Sequence, residues 1–390
     1  MKYNFDQSIN RLNTGSVKWD EVGNVFGDKD VLPMWVADMD FKSPQPVIDA
    51  LQKRVEHGIY GYTSRTESYY EATIDWMNKR HKWAIEKDWI CFSPGIVPAL
   101  SLIVQSYTKP GDKIIIQPPV YYPFTSVVEN NGREVVHNPL QLKDNNYVMD
   151  FDDLKQKIDP AVKMIIISSP HNPVGRVWTK DELITLGEIC LEHNILVVSD
   201  EIHFDLVYKD RKHTPFAAIS EEFAQNSIIC TAPSKTFNLA GLQISNVIIP
   251  NKELREPFTK AIESNFISMT GTFGVVALES AYRYGEEWLD QLIDYLQGNL
   301  DFLKSYFESN IPEIKVIQPE STYLVWLDCR ELGLNEKELE QFMLKEAKVA
   351  FNAGYTFGIG GEGFMRVNIA CPRAILEEGL KRIQAAIKKL

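Results

Sequence analysis

The chain predicts an α/β protein with two parts: a large domain on a mostly parallel central sheet and a smaller α+β domain. Three observations carry this expectation. At 390 residues the chain is too long for one ordinary core. Its middle holds short apolar runs with no polar alternation, the pattern of strands buried on both faces of a parallel sheet. Its last hundred residues change to long amphipathic stretches around a single strand-like segment.

Taken in order, the segment up to about residue 45 is loop-rich and is expected to fold back onto the small domain. The runs "WICF" (89–92), "KIIIQ" (113–117), "KMIIIS" (163–168), "ILVVS" (195–199), "SIIC" (227–230) and "NVIIP" (246–250) read as strands. Between them, "TKDELITLGEICLEHN" (179–194) sets Leu183, Leu186, Ile189 and Cys190 at helical spacing, and Thr179 with Glu182 resembles a capping box. Strand, helix, strand implies right-handed crossovers. Residues 287–307 read as one long helix and "STYLVWLDC" (321–329) as a strand. The C-terminal stretch puts Leu376, Leu380, Ile383, Ile387 and Leu390 on one helical face. These patterns assign 46–285 to the large domain, and 1–45 together with 286–390 to the small one.

Composition narrows the function. With 44% apolar and 24% charged residues, the chain reads as a soluble globular protein. A net charge of −12 without a Lys/Arg-rich run argues against nucleic acid or an anionic membrane as partner. The five cysteines are widely spaced and form no CxxC pair, which fits reduced thiols in a cytoplasmic protein and offers no zinc or other metal site. The N-terminus has no apolar signal core, and no stretch reaches the roughly 18 apolar residues of a membrane span.

Ligands of open α/β sheets bind at the carboxyl ends of strands. Here five of the apolar runs are followed by Pro/Gly-shaped polar turns: "SPGIVPAL", "PPVYYPF", "SSPHNPVG", "SDEIHFDL" and "TAPSKTF". Gly95, Ile96 and Val97 would present backbone N–H groups at a helix start, suited to a phosphate. Pro98 sits in the first turn, where its missing N–H costs little. Asp200 ends a buried strand, where a carboxylate is costly to bury without a partner. Lys235 stands among small hydroxyl residues just after a buried strand, a setting that a surface lysine does not need.

The blocks "SPG", "PVY", "HNPVG", "SDEIH", "SKTFNLAGL" and "GEGFMRVNIACP" resemble those of fold-type I pyridoxal 5′-phosphate (PLP) enzymes, the aminotransferase class I/II superfamily. The resemblance runs along nearly the whole chain. Within that superfamily, "VKWD", "LPMWVADMDF", "GYTS" and "DEIH" are similar to the MalY/PatB-type cystathionine β-lyases, or cysteine C–S lyases. The resemblance implies PLP as cofactor, bound covalently by Lys235. It implies Asp200 as the carboxylate at the pyridine nitrogen, Tyr121 as the stacked aromatic, and Asn172 as the donor to the ring hydroxyl oxygen. Ser234 and Thr231 are the implied phosphate donors, and Gly241 a point of close chain approach. Tyr62 would reach the phosphate of the other subunit of a homodimer with shared active sites. Arg366 would grip the α-carboxylate of an amino-acid substrate, with the backbone near Ala37 closing over it.

Three positions depart from the aminotransferase pattern. His203 stands where a tyrosine is usual, and Gln243 where a phosphate-binding arginine is usual. The segment "NFISMTGTFG" (265–274) has no Arg or Lys to meet a side-chain carboxylate, which disfavours a specialised aspartate aminotransferase. The histidine and the glutamine agree with the lyase subgroup. The expected reaction is α,β-elimination of L-cystathionine or other cysteine S-conjugates to a thiol, pyruvate and ammonia. The alternatives are an aminotransferase of broad specificity and a PLP-fold regulatory protein.

Overall fold

The computed structural model describes residues 2–390. Seven strands form the central sheet: β1 (Ile90–Ser93), β2 (Lys113–Ile116), β3 (Glu134–His137), β4 (Val162–Ser168), β5 (Leu196–Asp200), β6 (Ser227–Thr231) and β7 (Ser245–Ile248), in the order β1-β7-β6-β5-β4-β2-β3. All are parallel except β7, which runs antiparallel to both its neighbours. The six apolar runs are thus all strands. β3 was not expected: its "EVVH" is too short and polar to stand out, and it lies at the sheet edge, where one row of partners is missing.

Successive strand residues point to opposite faces. Ile115, Ile165, Ile167, Val197, Ile229 and Ile248 enter one core, while Ile114, Ile116, Ile166, Val198, Ile228 and Val247 enter another. Burial on both faces is why these runs lack polar alternation. The helix after β4, Lys180–Glu192, begins with the capping box: Glu182 N donates to Thr179 Oγ1 at 3.2 Å, and Thr179 N donates to Glu182 Oε2 at 2.8 Å.

A second, antiparallel sheet joins β8 (Lys315–Ile317), β9 (Leu324–Asp328), β10 (Asn352–Ala353) and β11 (Phe364–Asn368) in the order β8-β9-β11-β10. Helix Glu286–Asn310 buries Trp288, Leu292, Leu296, Leu300, Leu303 and Phe307 at helical spacing. The last helix, Arg373–Ile387, buries Leu376, Leu380 and Ile383. Leu390 leaves the expected stripe, because the helix ends before it and its side chain is exposed. The N-terminal segment returns to this part of the chain: Leu32–Pro33 pairs in parallel with Val349–Ala350, and Asp40 N donates to Ala370 O at 2.9 Å. All five cysteines are free, and among the described residues no helix is long and apolar enough to cross a membrane.

Gly187 tests the packing of the capped helix. A Cβ there would lie 2.3 Å from the ring of Phe223, which is itself stacked on Phe216. Replacing a mid-helix glycine with alanine ordinarily gains about 1 kcal/mol, but overpacking a core costs about 1–3 kcal/mol. Gly187→Ala should therefore lower the urea midpoint; a raised midpoint would show that Phe223 can yield.

Candidate functional site

Parallel pairing sets the last residues of β4 and β5 and the penultimate residue of β6 in one row: Ser168 opposite Asp200, and Asp200 opposite Cys230. The turns that follow open on the same edge, joined by those after β1 and β2. Together they line a cavity of about 220 Å³ that contains Gly95, Ile96, Val97, Tyr121, Asn172, Asp200, His203, Ser234 and Lys235, with Ala37 from the N-terminal segment. Among the described residues, no group of three or more His, Cys, Asp or Glu is placed to hold a metal ion.

Lys235 Nζ donates to the carbonyl of Ala37 at 2.7 Å, and Tyr323 Oη donates to the same oxygen at 2.9 Å. Burial, then the nearby positive charge of Arg366, brings the lysine down to about 8. Asp200 accepts from Ile202 N at 3.1 Å. Burial pushes its carboxyl up to about 7, against the attraction of Lys235. His203 is buried and held well below the usual imidazole range by burial and by the charges of Lys235 and Arg366. Its Nδ1 has no hydrogen-bond partner.

Arg366, on β11, is buried beside the cavity with its guanidinium 4.9 Å from the centre of the Phe357 ring. Nη1 donates to Asn172 Oδ1 at 2.9 Å, and Nη2 donates to Trp35 O at 3.1 Å and Asn352 Oδ1 at 2.6 Å. Its Nε–H is buried without a partner. Helix Ile96–Tyr107 starts at the cavity with Gly95 as its N-cap, so the first-turn N–H groups have no intrahelical acceptor.

Three expected residues stand elsewhere. Thr231 is fully buried in β6 and absent from the cavity wall, its hydroxyl 3.5 Å from Asn246 O. Gly241 makes no close approach within the chain: a Cβ there would meet nothing within 4 Å, and the residue is exposed. Tyr62, expected at the other subunit's site rather than its own, lies outside this cavity and is 93% exposed. Conversely, Tyr323, Asn352 and the Trp35 carbonyl belong to the site without having been expected. Asn352 reaches Arg366 only because β10 pairs with β11 in the register Asn352↔Arg366, which no local pattern reveals.

The donor set suits an anionic, aromatic aldehyde. There is an amine of lowered basicity, a buried carboxyl pushed up to about 7, an orphaned imidazole nitrogen and open N–H groups at a helix start. The family model for "Aminotransferase class I and II" matches residues 29–383. The chain belongs to this family. It is 49% identical over 385 residues to cystathionine beta-lyase PatB of Bacillus subtilis, covering 98% of this chain and all of that protein. The crystal structure of cystalysin from Treponema denticola, which contains a pyridoxal 5′-phosphate cofactor, superposes with a TM-score of 0.96 at 43% identity over the full length of both chains. The PLP-bound C-S lyase from Staphylococcus hominis gives a TM-score of 0.93 at 35% identity, over 99% of this chain and 98% of that one.

The raised carboxyl of Asp200 has a consequence for stability in protein freed of cofactor. A carboxyl near 7 when folded and about 4 when unfolded binds more protons in the folded chain between those values. Its contribution is therefore most favourable below about pH 4 and declines as pH rises to 7. Asp200→Asn should gain on the parent between pH 5 and pH 8 in urea denaturation, by at most roughly 3 kcal/mol, since about two of the three pKa units lie inside that window at about 1.4 kcal/mol each. An equal difference at both pH values would contradict this account of the carboxyl.

Proposed function

We propose that the protein is a PLP-dependent carbon–sulfur β-lyase that cleaves L-cystathionine or other cysteine S-conjugates to a thiol, pyruvate and ammonia. The observation that carries this reading is the single cavity in which the Lys235 amine, the Asp200 carboxylate and the His203 imidazole meet. The full-length likeness to cystathionine β-lyase and C–S lyases supports it. The departures His203 and Gln243 lie on the cavity wall.

In this reading Lys235 binds PLP, and Asp200 keeps a proton on the pyridine nitrogen and is held ionised by it. Tyr121 covers the ring face, while Asn172 and the His203 nitrogen left without a partner turn to the ring oxygen. Ser234 and the backbone N–H groups of Gly95, Ile96 and Val97 hold the phosphate. PLP supplies, when bound, an electron sink for negative charge at the substrate Cα. Arg366 grips the α-carboxylate beginning with its free Nε–H, beside Ala37, and so presents the Cα–H bond to Lys235. Once the substrate's own amine has taken its place on PLP, the freed Lys235 amine, of lowered basicity, would take the Cα proton as general base. The thiolate leaves from Cβ, and hydrolysis of the remaining three-carbon fragment gives pyruvate and ammonia.

The reading includes a cytoplasmic homodimer and the division into 46–285 and 1–45 with 286–390. Tyr62 is exposed together with Ile59 and Tyr60 on its own loop and Phe266 and Met269 on a second. The bridge Thr63↔Thr270 holds the two loops together. A patch of this kind fits a partner, and a second copy covering it would bring Tyr62 to the partner's phosphate.

Incubation with L-cystathionine should release pyruvate and homocysteine in equal amounts with no keto acid added. Aspartate with 2-oxoglutarate should give little glutamate; rapid glutamate without pyruvate from any thioether would replace the lyase by an aminotransferase. Arg366→Lys should lower kcat/KM by roughly 30-fold or more, the consequence of losing about 2 kcal/mol of charge-assisted pairing. Mixing Tyr62→Phe chains with Lys235→Ala chains should restore activity, since one shared site then carries neither lesion. A fully active monomer would refute the shared-site dimer.

A further inference from the structure

The motif "VKWD" forms a four-residue helix, Val17–Asp20, that has no place in the chemistry above. Its Lys18 is 1% exposed, unusual for a lysine. Lys18 Nζ lies 2.7 Å from Asp40 Oδ2 and 3.8 Å from Asp38 Oδ1. Trp19 Nε1 donates to Asp40 Oδ1 at 2.8 Å. Arg11 completes the cluster, pairing with Asp38 at 2.6 Å and Asp40 at 2.7 Å, so two cations face two carboxylates. Burial would raise the Asp40 carboxyl, but Lys18, Trp19 and Arg11 together hold it below the usual range.

The same helix holds the other end of this segment. Trp35 Nε1 donates to the backbone carbonyl of Lys18 at 3.1 Å. Lys18 therefore ties Asp40 by its side chain and Trp35 by its main chain, and the five peptide links between them run past the cavity. Trp35 O accepts from Arg366 Nη2, and Ala37 O accepts from Lys235 Nζ.

We propose that Lys18 is a positioning residue for amino-acid binding: it clamps residues 35–40 so that the Trp35 carbonyl orients the Arg366 guanidinium. The proposal rests on the reading of Arg366 as the carboxylate site. Lys18 touches neither substrate nor cofactor, so its loss acts on binding geometry, where displacements of about 1 Å already matter.

The test uses PLP-loaded enzyme, with L-alanine as a probe that has no leaving group at Cβ. Lys18→Met should weaken L-alanine binding, read from the cofactor absorbance, by about tenfold. KM for cystathionine should rise in step while kcat stays within about threefold, and PLP content should be unchanged. Hydrogen exchange at the Met39 and Asp40 amides should quicken. Trp35→Phe leaves the ion cluster whole, removes the indole bond to Lys18 while keeping an aromatic ring beside Phe26, and should weaken L-alanine binding in the same direction; it decides the matter if Lys18→Met fails to fold. Unchanged L-alanine binding in Trp35→Phe, or a fall in kcat and PLP content with binding preserved in Lys18→Met, would overturn the proposal. If the parent enzyme itself gives no response to L-alanine, the reading of Arg366 fails, and unchanged exchange in Lys18→Met would separately refute the clamp.

Discussion

Parallel strand pairing aligns Ser168, Asp200 and Cys230 in one row, and every other feature of the site depends on that alignment. Because β4, β5 and β6 end within one residue of a common level, the turns after them start close together. Groups separated by tens of residues in sequence then meet within one cavity. A slip of one residue in β5 would turn Asp200 to the opposite face of the sheet. The apolar cores on both faces make such a slip costly, since each would receive the other's side chains. The chemistry is thus underwritten by hydrophobic packing several residues away from it.

The same burial that secures the register creates the reactivity. Asp200 and Lys235 are driven toward their neutral forms, and His203 is kept neutral between two positive neighbours. A site composed this way stores unsatisfied polar demand, which an anionic aromatic ligand can meet. Sites of this kind are where local rules of stability are broken to a purpose.

Much of this was legible in the sequence. Runs such as "KMIIIS" and "ILVVS" lack polar alternation because both faces are buried, so their strand character survives without structure. Asp200, Asn172 and Lys235 could be placed because each lies within five residues of the end of such a run. The edge strand β3 was hidden, since a half-partnered strand needs little hydrophobic signal. Asn352 and Tyr323 were hidden for a different reason: their roles depend on registers and distances between segments far apart in the chain. Gly241 shows the reverse case, in which a motif position suggested a close approach that no part of the same chain makes. Thr231 was assigned by nearness to Lys235, but the strand's alternation turned its hydroxyl into the core.

The carbonyl of Ala37, on which Lys235 and Tyr323 converge, belongs to the main chain. No codon change at residue 37 short of rerouting the backbone can delete that oxygen, so its contribution is invisible to side-chain scanning. Natural drift and laboratory evolution can move it only indirectly, through the side chains that hold its segment. Asn238, which bonds the backbone at Met39 and Phe41, and Asn368, which bonds the carbonyls of Val36 and Asp38, are such handles. Variation that retunes the reaction without touching it would therefore collect at amide side chains outside the cavity.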